Sequence, residues 1–227
     1  MDYLLKKFKE NVSPILEPLG FKQRGRKFYI RITDEKIYQS LELCKRPPFY
    51  SYLRFMSVPL FLGRGIYLSS GDEAKGLWAN SEKDAAKHDW NAADMAQVLR
   101  NDLIPFFEKT KTLEGAYQAE FEGYSMGRDY FLGMYQAKNG DCQAIINLAK
   151  LRIEQSKEAV QENVAFFREN GTMSEEEIQK YIRDRENERE DMKEKRDFFA
   201  ESSLETIQKY FQSKEEETLR LSKWKFD

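Results

Sequence analysis

The sequence predicts an α+β fold: a small antiparallel sheet of three to five strands packed by helices over residues 1–110, then an all-helical extension over 111–227 with a long helical hairpin. Three observations carry this expectation. Between Phe28 and Leu62 the apolar residues recur with a period of two or in short unbroken runs, as strands require. On either side of that stretch they recur at three- and four-residue steps, as amphipathic helices require. All 6 prolines lie at or before Pro105, so the long remainder lacks the residue that most strongly breaks helices.

The first helix is predicted over residues 2–19, with Leu4, Leu5, Phe8, Val12, Ile15, Leu16 and Leu19 on one face. Pro14 is expected to kink or restart it, with Ser13 as the new cap. Gly20 suits the left-handed residue that closes a helix. Phe28, Ile30 and Ile32 then alternate with Tyr29 and Arg31, the pattern of a half-buried strand. The polar turn Thr33 to Lys36 leads to a second strand. It places Ile37, Gln39, Leu41 and Leu43 on one face, and Tyr38, Ser40, Glu42 and Cys44 on the other. The two strands read as an antiparallel hairpin. Beyond Pro47 and Pro48, the aromatic run from Tyr50 to Leu62 predicts a third strand buried on both faces, with Pro59 marking its end or a bulge. Ile66 to Ser69 reads as a short fourth strand and Leu77-Trp78 as a short edge strand. A helix from Asn91 to Lys109 follows, along Met95, Val98, Leu99, Leu103, Phe106 and Phe107, with a kink at Pro105.

In the second half Thr112 is placed to cap a helix carrying Leu113, Tyr117 and Phe121. Asp129 to Lys150 predicts a helical hairpin turning at Asn139, Gly140 and Asp141. Its return helix continues along Ile145, Ala149, Ile153, Ser156, Val160, Val164 and Phe167 until Asn170-Gly171. Ser174 with Glu177 is a capping box. From Arg183 to Asp197 every residue except Asn187 and Met192 is charged. Such a segment has no ordinary amphipathic face and predicts a solvated helix held by i,i+4 ion pairs among residues such as Arg183, Arg185, Glu186, Arg189 and Glu190. At 1.5 Å per residue it would run roughly 40 Å, one of two long antiparallel helices forming an arm. A last helix, Ser203 to Trp224, packs Leu204, Ile207, Tyr210, Phe211, Leu219 and Leu221.

Charge is divided along the chain. Through Tyr67 there are 13 Lys+Arg and 6 Asp+Glu; the remainder has 24 and 33. A basic module joined to an acidic one implies either two surfaces with different partners or two halves that attract each other. Cys44 and Cys142 are far apart and have no metal-ligand spacing, so two free thiols and a cytoplasmic location are expected. The N-terminal MDYLLKKFKE is too charged for a signal peptide, and no apolar run approaches the roughly 20 residues that span a bilayer.

The candidate binding residues are Lys22, Arg24, Arg26, Lys27, Tyr29, Arg31 and Tyr38, because basic side chains grip phosphates while aromatics on a small sheet stack bases. The competing reading is a solvated connection whose cations pair with the acidic helices. The aromatic set Phe49, Tyr50, Tyr52, Phe55, Phe61 and Tyr67 reads as core filling before it reads as a ligand groove. His88, the 1 histidine, has Asp84 and Asp89 nearby, which is too little for a metal site or a triad. No phosphate-binding glycine loop is present. No cofactor is expected, and the balance leans away from an enzyme.

Leu19-Gly20-Phe21-Lys22, the basic Gly25-Arg26, Phe28-Tyr29 with Arg31, and the strand Tyr38 to Leu43 together resemble the uncharacterised bacterial "domain of unknown function 4304" family over roughly residues 1–110. The resemblance implies a small α+β domain and supplies no catalytic residues. The expected function is a noncatalytic protein-interaction module, of the immunity or antitoxin-like kind, with a protein partner or self-association through the helical arm. The alternative is a nucleic-acid-associated protein using residues 22–31.

Overall fold

Helix α1 (Tyr3–Leu16) buries Leu4, Leu5, Phe8, Val12 and Leu16 along one face in the computed structural model, which describes residues 3–46, 50–62, 75–79, 81–83, 86, 94–122 and 128–221. The helix runs through Pro14 instead of restarting there. A proline removes one donor but is tolerated where the preceding turn faces water, and Pro14 is exposed. Ser13, expected as a cap, instead shares a short hydrogen bond with the Tyr29 hydroxyl. A single 3₁₀ turn (Glu17–Leu19) ends on Gly20 at φ 83°, as the glycine predicted.

The sheet is a five-stranded antiparallel meander in sequence order: β1 (Lys22–Gln23), β2 (Phe28–Ile32), β3 (Ile37–Arg46), β4 (Tyr50–Pro59) and β5 (Lys75–Ala79). Tyr29 pairs with Leu41 and Leu41 with Phe55, so the three share a face, as do Leu43 and Leu53. That face packs against α1 and the helical segment 95–109, forming a core that also takes in Phe21, Trp78, Met95, Leu99, Leu103 and Phe107. Ile37, Gln39, Leu41 and Leu43 are all buried, as the alternation predicts. In β2 both Tyr29 and Ile30 are buried, so that strand is covered on each side at its centre. β4 ends at Pro59 and continues into a 3₁₀ turn, Leu60–Leu62, whose three side chains are all buried. The predicted edge strand around Trp78 is β5; the predicted strand at Ile66 to Ser69 lies outside the described residues.

At Pro105, where a kink is expected, the helix changes its winding. Met95–Val98 (α2) widens into a π-helical turn, Leu99–Leu103, before Ile104–Lys109 (α3) resumes the ordinary winding. Proline at 105 withholds an i→i−4 donor, and a π turn just before it is a known way of absorbing the defect. Thr112 caps α4 (Leu113–Glu122) through a 3.0 Å bond from the Gly115 N–H.

Contacts divide the chain into two compact units, Met1–Met126 with Lys214–Asp227 and Gly127–Ser213. The second is helical: α5 (Arg128–Lys138), α6 (Gln143–Asn170), α7 (Glu175–Glu201) and the first part of α8 (Leu204–Leu221). α5 packs on α6, and α6 on α7. The expected stops and caps are in place. Gly171 is left-handed at φ 61°, and Ser174 with Glu177 forms a reciprocal capping box. At 28 and 27 residues, α6 and α7 each run about 40 Å. Three ion pairs on α7 sit at a spacing of three residues, not the four expected: Arg185 with Glu188, Glu186 with Arg189 and Glu190 with Lys193; Arg196 pairs with its neighbour Asp197. Spacings of three and four both put two side chains on one helix face, and a fully exposed pair of this kind contributes only about 0.3 kcal/mol. In α8, Ile207 and Phe211 are buried as expected, whereas Leu204 is exposed in the first turn.

Candidate functional site

Neighbouring strands place Arg31, Gln39 and Ser57 side by side across the core face of the sheet. Three polar residues in one row would normally weaken a core. Here the C-terminal end of α3 supplies their partners. Gln39 donates from Nε2 to the Phe107 carbonyl at 2.8 Å and to Thr110 Oγ1 at 3.0 Å. Ser57 donates to the Thr110 carbonyl at 3.3 Å. Gln39, Ser57 and Thr110 are completely buried. Free carbonyls at a helix C-terminus carry partial negative charge, so a cation beside them is favoured.

Arg31 is that cation. Its Nε donates to Gln39 Oε1 at 2.6 Å and its Nη1 to the Leu19 carbonyl at 2.8 Å. Its Nη2 reaches the Phe107 carbonyl at 3.3 Å and Glu108 Oε1 at 3.0 Å. The guanidinium lies 4.7 Å above the Phe21 ring. One planar side chain thus ties the end of the first helical segment, two strands and the end of α3 together. Lys111 holds the other Glu108 oxygen at 2.7 Å. The Lys111 hydrogen bond first, and Arg31 with it, keeps the Glu108 carboxyl below its usual range against a smaller opposing effect of burial.

Beside this junction lies a cleft of about 320 Å³, lined by Leu19, Gly20, Arg31, Ile32, Thr33, Asp34, Glu35, Lys111 and Thr112. Glu35, at the tip of the β2–β3 turn, accepts from the Leu113 N–H at 2.6 Å, so a hairpin carboxylate caps α4. Lys36 makes that turn possible by adopting φ 61°. Three of the cleft's charged groups are therefore turned on the protein itself: Arg31 and Lys111 on Glu108, and Glu35 on α4.

The predicted binding residues do not converge. Lys22 pairs with Ile30 and therefore lies on the sheet face opposite Tyr29. Tyr38 is on that same opposite face, beside Ile32. Arg24, Arg26 and Lys27 occupy the β1–β2 connection, where Arg24 N–H closes the turn onto the Phe28 carbonyl at 2.7 Å. Tyr29 is fully buried, in edge contact with Phe8 at 5.6 Å, and presents no face for stacking. Arg31 pairs with Glu108 of its own module. The residues missed from sequence are Gln39, Ser57, Glu108 and Thr110. Gln39 carried a readable signal, a polar residue on an otherwise apolar strand face.

Elsewhere the thiols of Cys44 and Cys142 are free, and burial pushes both above their usual range, which makes them poor nucleophiles. Among the described residues no group of three or more His, Cys, Asp or Glu is placed to hold a metal ion, and no helix is long and apolar enough to cross a membrane. Asp84, His88 and Asp89 lie outside them.

Glu108 makes a pH prediction. Its folded pKa is depressed, so the stability it contributes is complete above the ordinary carboxylate range and is lost as pH falls through the folded value. Urea midpoints measured from pH 6 down to pH 3 should therefore drop more steeply for the native chain than for Glu108→Gln. Parallel curves would contradict this assignment. Comparison with protein-family models, with curated proteins and with solved structures finds no match to this chain.

Proposed function

We propose that this chain is a noncatalytic protein-interaction module that engages a protein partner through the outer face of α6. The observation that carries the reading is the pair Leu151 and Phe166, which are 54% and 53% exposed. Fifteen residues apart, they stand about 22 Å from one another along the axis and within one helical sector. Gln155, Ala159 and Glu162 lie between them on the same exposed stripe. Large apolar anchors rimmed by polar residues at helical spacing are what a groove on another protein recognises. The finer reading is a role of the immunity or antitoxin-like kind, exercised by binding and not by turnover. The resemblance of residues 1–110 to the "domain of unknown function 4304" family is compatible with it and adds no activity.

A photoreactive benzoylphenylalanine at position 151 or 166 of the full chain tests the proposal. In extracts of the native host it should yield discrete protein adducts that the same label at exposed position 176 does not. Unlabelled native chain should compete them away, and a Leu151→Glu, Phe166→Glu chain should not. Equal labelling at all three positions would remove the α6 face from consideration. Nucleic-acid binding is the second reading, supported by the exposure of Lys22 and Arg26. It would gain from an oligonucleotide shift at low salt that K22E/R26E abolishes.

A further inference from the structure

The α6–α7 hairpin has a core at each end and almost none between. At the basal end Ile145, Ala149 and Ile153 of α6 are buried, as is Phe199 of α7. Phe131, Met134 and Ala137 of α5 and Ile207 and Phe211 of α8 are buried in the same unit. Phe199 makes ring contacts with Phe198, Tyr210 and Phe211 at 5.2–6.2 Å. At the distal end there is much less. Ile178 is buried, Phe167 meets Tyr181 edge-on at 5.5 Å, and Asn163 donates to the Tyr181 hydroxyl at 2.9 Å. Beyond Ile153 α6 has no fully buried side chain, and α7 has none between Ile178 and Phe199.

Arg189 occupies that empty middle. Its side chain is only 13% exposed, yet the carboxylate paired with it, Glu186, stands 3.9 Å away and is itself 58% exposed. Its Nη1 is buried without a hydrogen-bond acceptor. The buried Nη1 has given up water without gaining an acceptor, and the carboxylate paired with the group is distant and exposed. The cost is relieved when the helices separate and water reaches the group. Strong packing at one end, slight packing at the other and an uncompensated charge at the boundary define two tiers of local stability.

We infer that the hairpin is a two-tier conformational device, in which the distal part, about residues 157–190, opens as a cooperative unit of its own while the basal part stays packed. Opening uncovers Phe167, Ile178 and Tyr181. The inference does not depend on the proposed partner.

Hydrogen exchange of the full-length chain, read by mass spectrometry on peptides from α6 and α7, tests it. Distal amides should exchange at least about tenfold faster than those of the basal segments 143–153 and 193–201, with the step falling near Arg189. Arg189→Leu should slow the distal amides by about ten- to a hundredfold and leave the basal ones unchanged, because it removes a buried charge of this kind. Arg189→Met serves as a second variant with the same expectation. Arg183→Leu, on an exposed position of the same helix, controls for the propensity of leucine and should move the distal rates by less than about threefold. Uniform protection along both helices would overturn the inference. So would an Arg189→Leu effect no larger than that of Arg183→Leu.

Discussion

Arg31→Ala is expected to destabilise the sheet-containing unit by about 3–5 kcal/mol, because it leaves several acceptors without their donor at about 1–3 kcal/mol for each buried one. Several costs coincide. The Leu19 and Phe107 carbonyls lose a donor, Gln39 Oε1 loses its partner, and Glu108 keeps Lys111 alone. The stacking of the guanidinium on Phe21 also disappears. Arg31→Lys should recover little, since a single ammonium cannot reproduce a planar fork that reaches four acceptors. Trp78 is buried in the core of this unit, so its fluorescence reports on the unfolding. The measurement is the urea midpoint at unchanged slope. A loss below about 1 kcal/mol, typical of exposed ion pairs, would mean that Arg31 is not the tie described here.

Gly115→Ala should also be strongly destabilising, by about 2–3 kcal/mol, as overpacking against an unyielding neighbour is. The sign is the informative part. Replacing glycine by alanine inside an exposed helix ordinarily stabilises it by about 1 kcal/mol. Gly115, in the first turn of α4, lies against the last turn of α3. A Cβ built there would collide with the Lys109 carbonyl oxygen and stand 3.0 Å from its carbon and from Thr112 Oγ1. The nearest obstacle is backbone, which cannot swing aside as a side chain would, and the adjoining link is pinned by Glu35 on Leu113 and by Gln39 on Thr110. Accommodating the methyl group therefore means shifting the α3–α4 junction that holds Arg31. Thermal unfolding followed by tryptophan fluorescence decides the matter; a raised midpoint would show that the link adjusts freely.

Much of the architecture is legible in the sequence. Helix ends with a dedicated residue were found where expected: Gly20, Thr112, Gly171 and the Ser174–Glu177 box. Each is a local device whose chemistry needs only neighbours in the chain. The strands were legible from alternation, down to which face of Ile37 to Leu43 is buried. Pro14, expected to kink or restart its helix, lies inside one, and Pro105, expected as a kink, follows a π-helical turn. Proline has a fixed local cost, and tertiary packing of Leu16 beyond Pro14 and of Phe107 beyond Pro105 outweighs it. The basic and aromatic residues were the least legible. Tyr29 and Tyr38 have similar surroundings in sequence, but strand register sends one into the core and the other to the opposite face.

Sequence alone determined the α+β class, the hairpin of strands, the long helical pair and its caps, because periodicity and capping act over a few residues. Only the tertiary structure decided what the charges do. Arg31 finds its acid 77 positions away in Glu108, and Glu35 caps a helix 78 positions away at Leu113. Such pairings depend on strand register and on where α3 ends over the sheet, and no window along the chain contains both partners. The same holds for Arg189, whose burial in a segment composed almost wholly of charges emerges only in the folded chain.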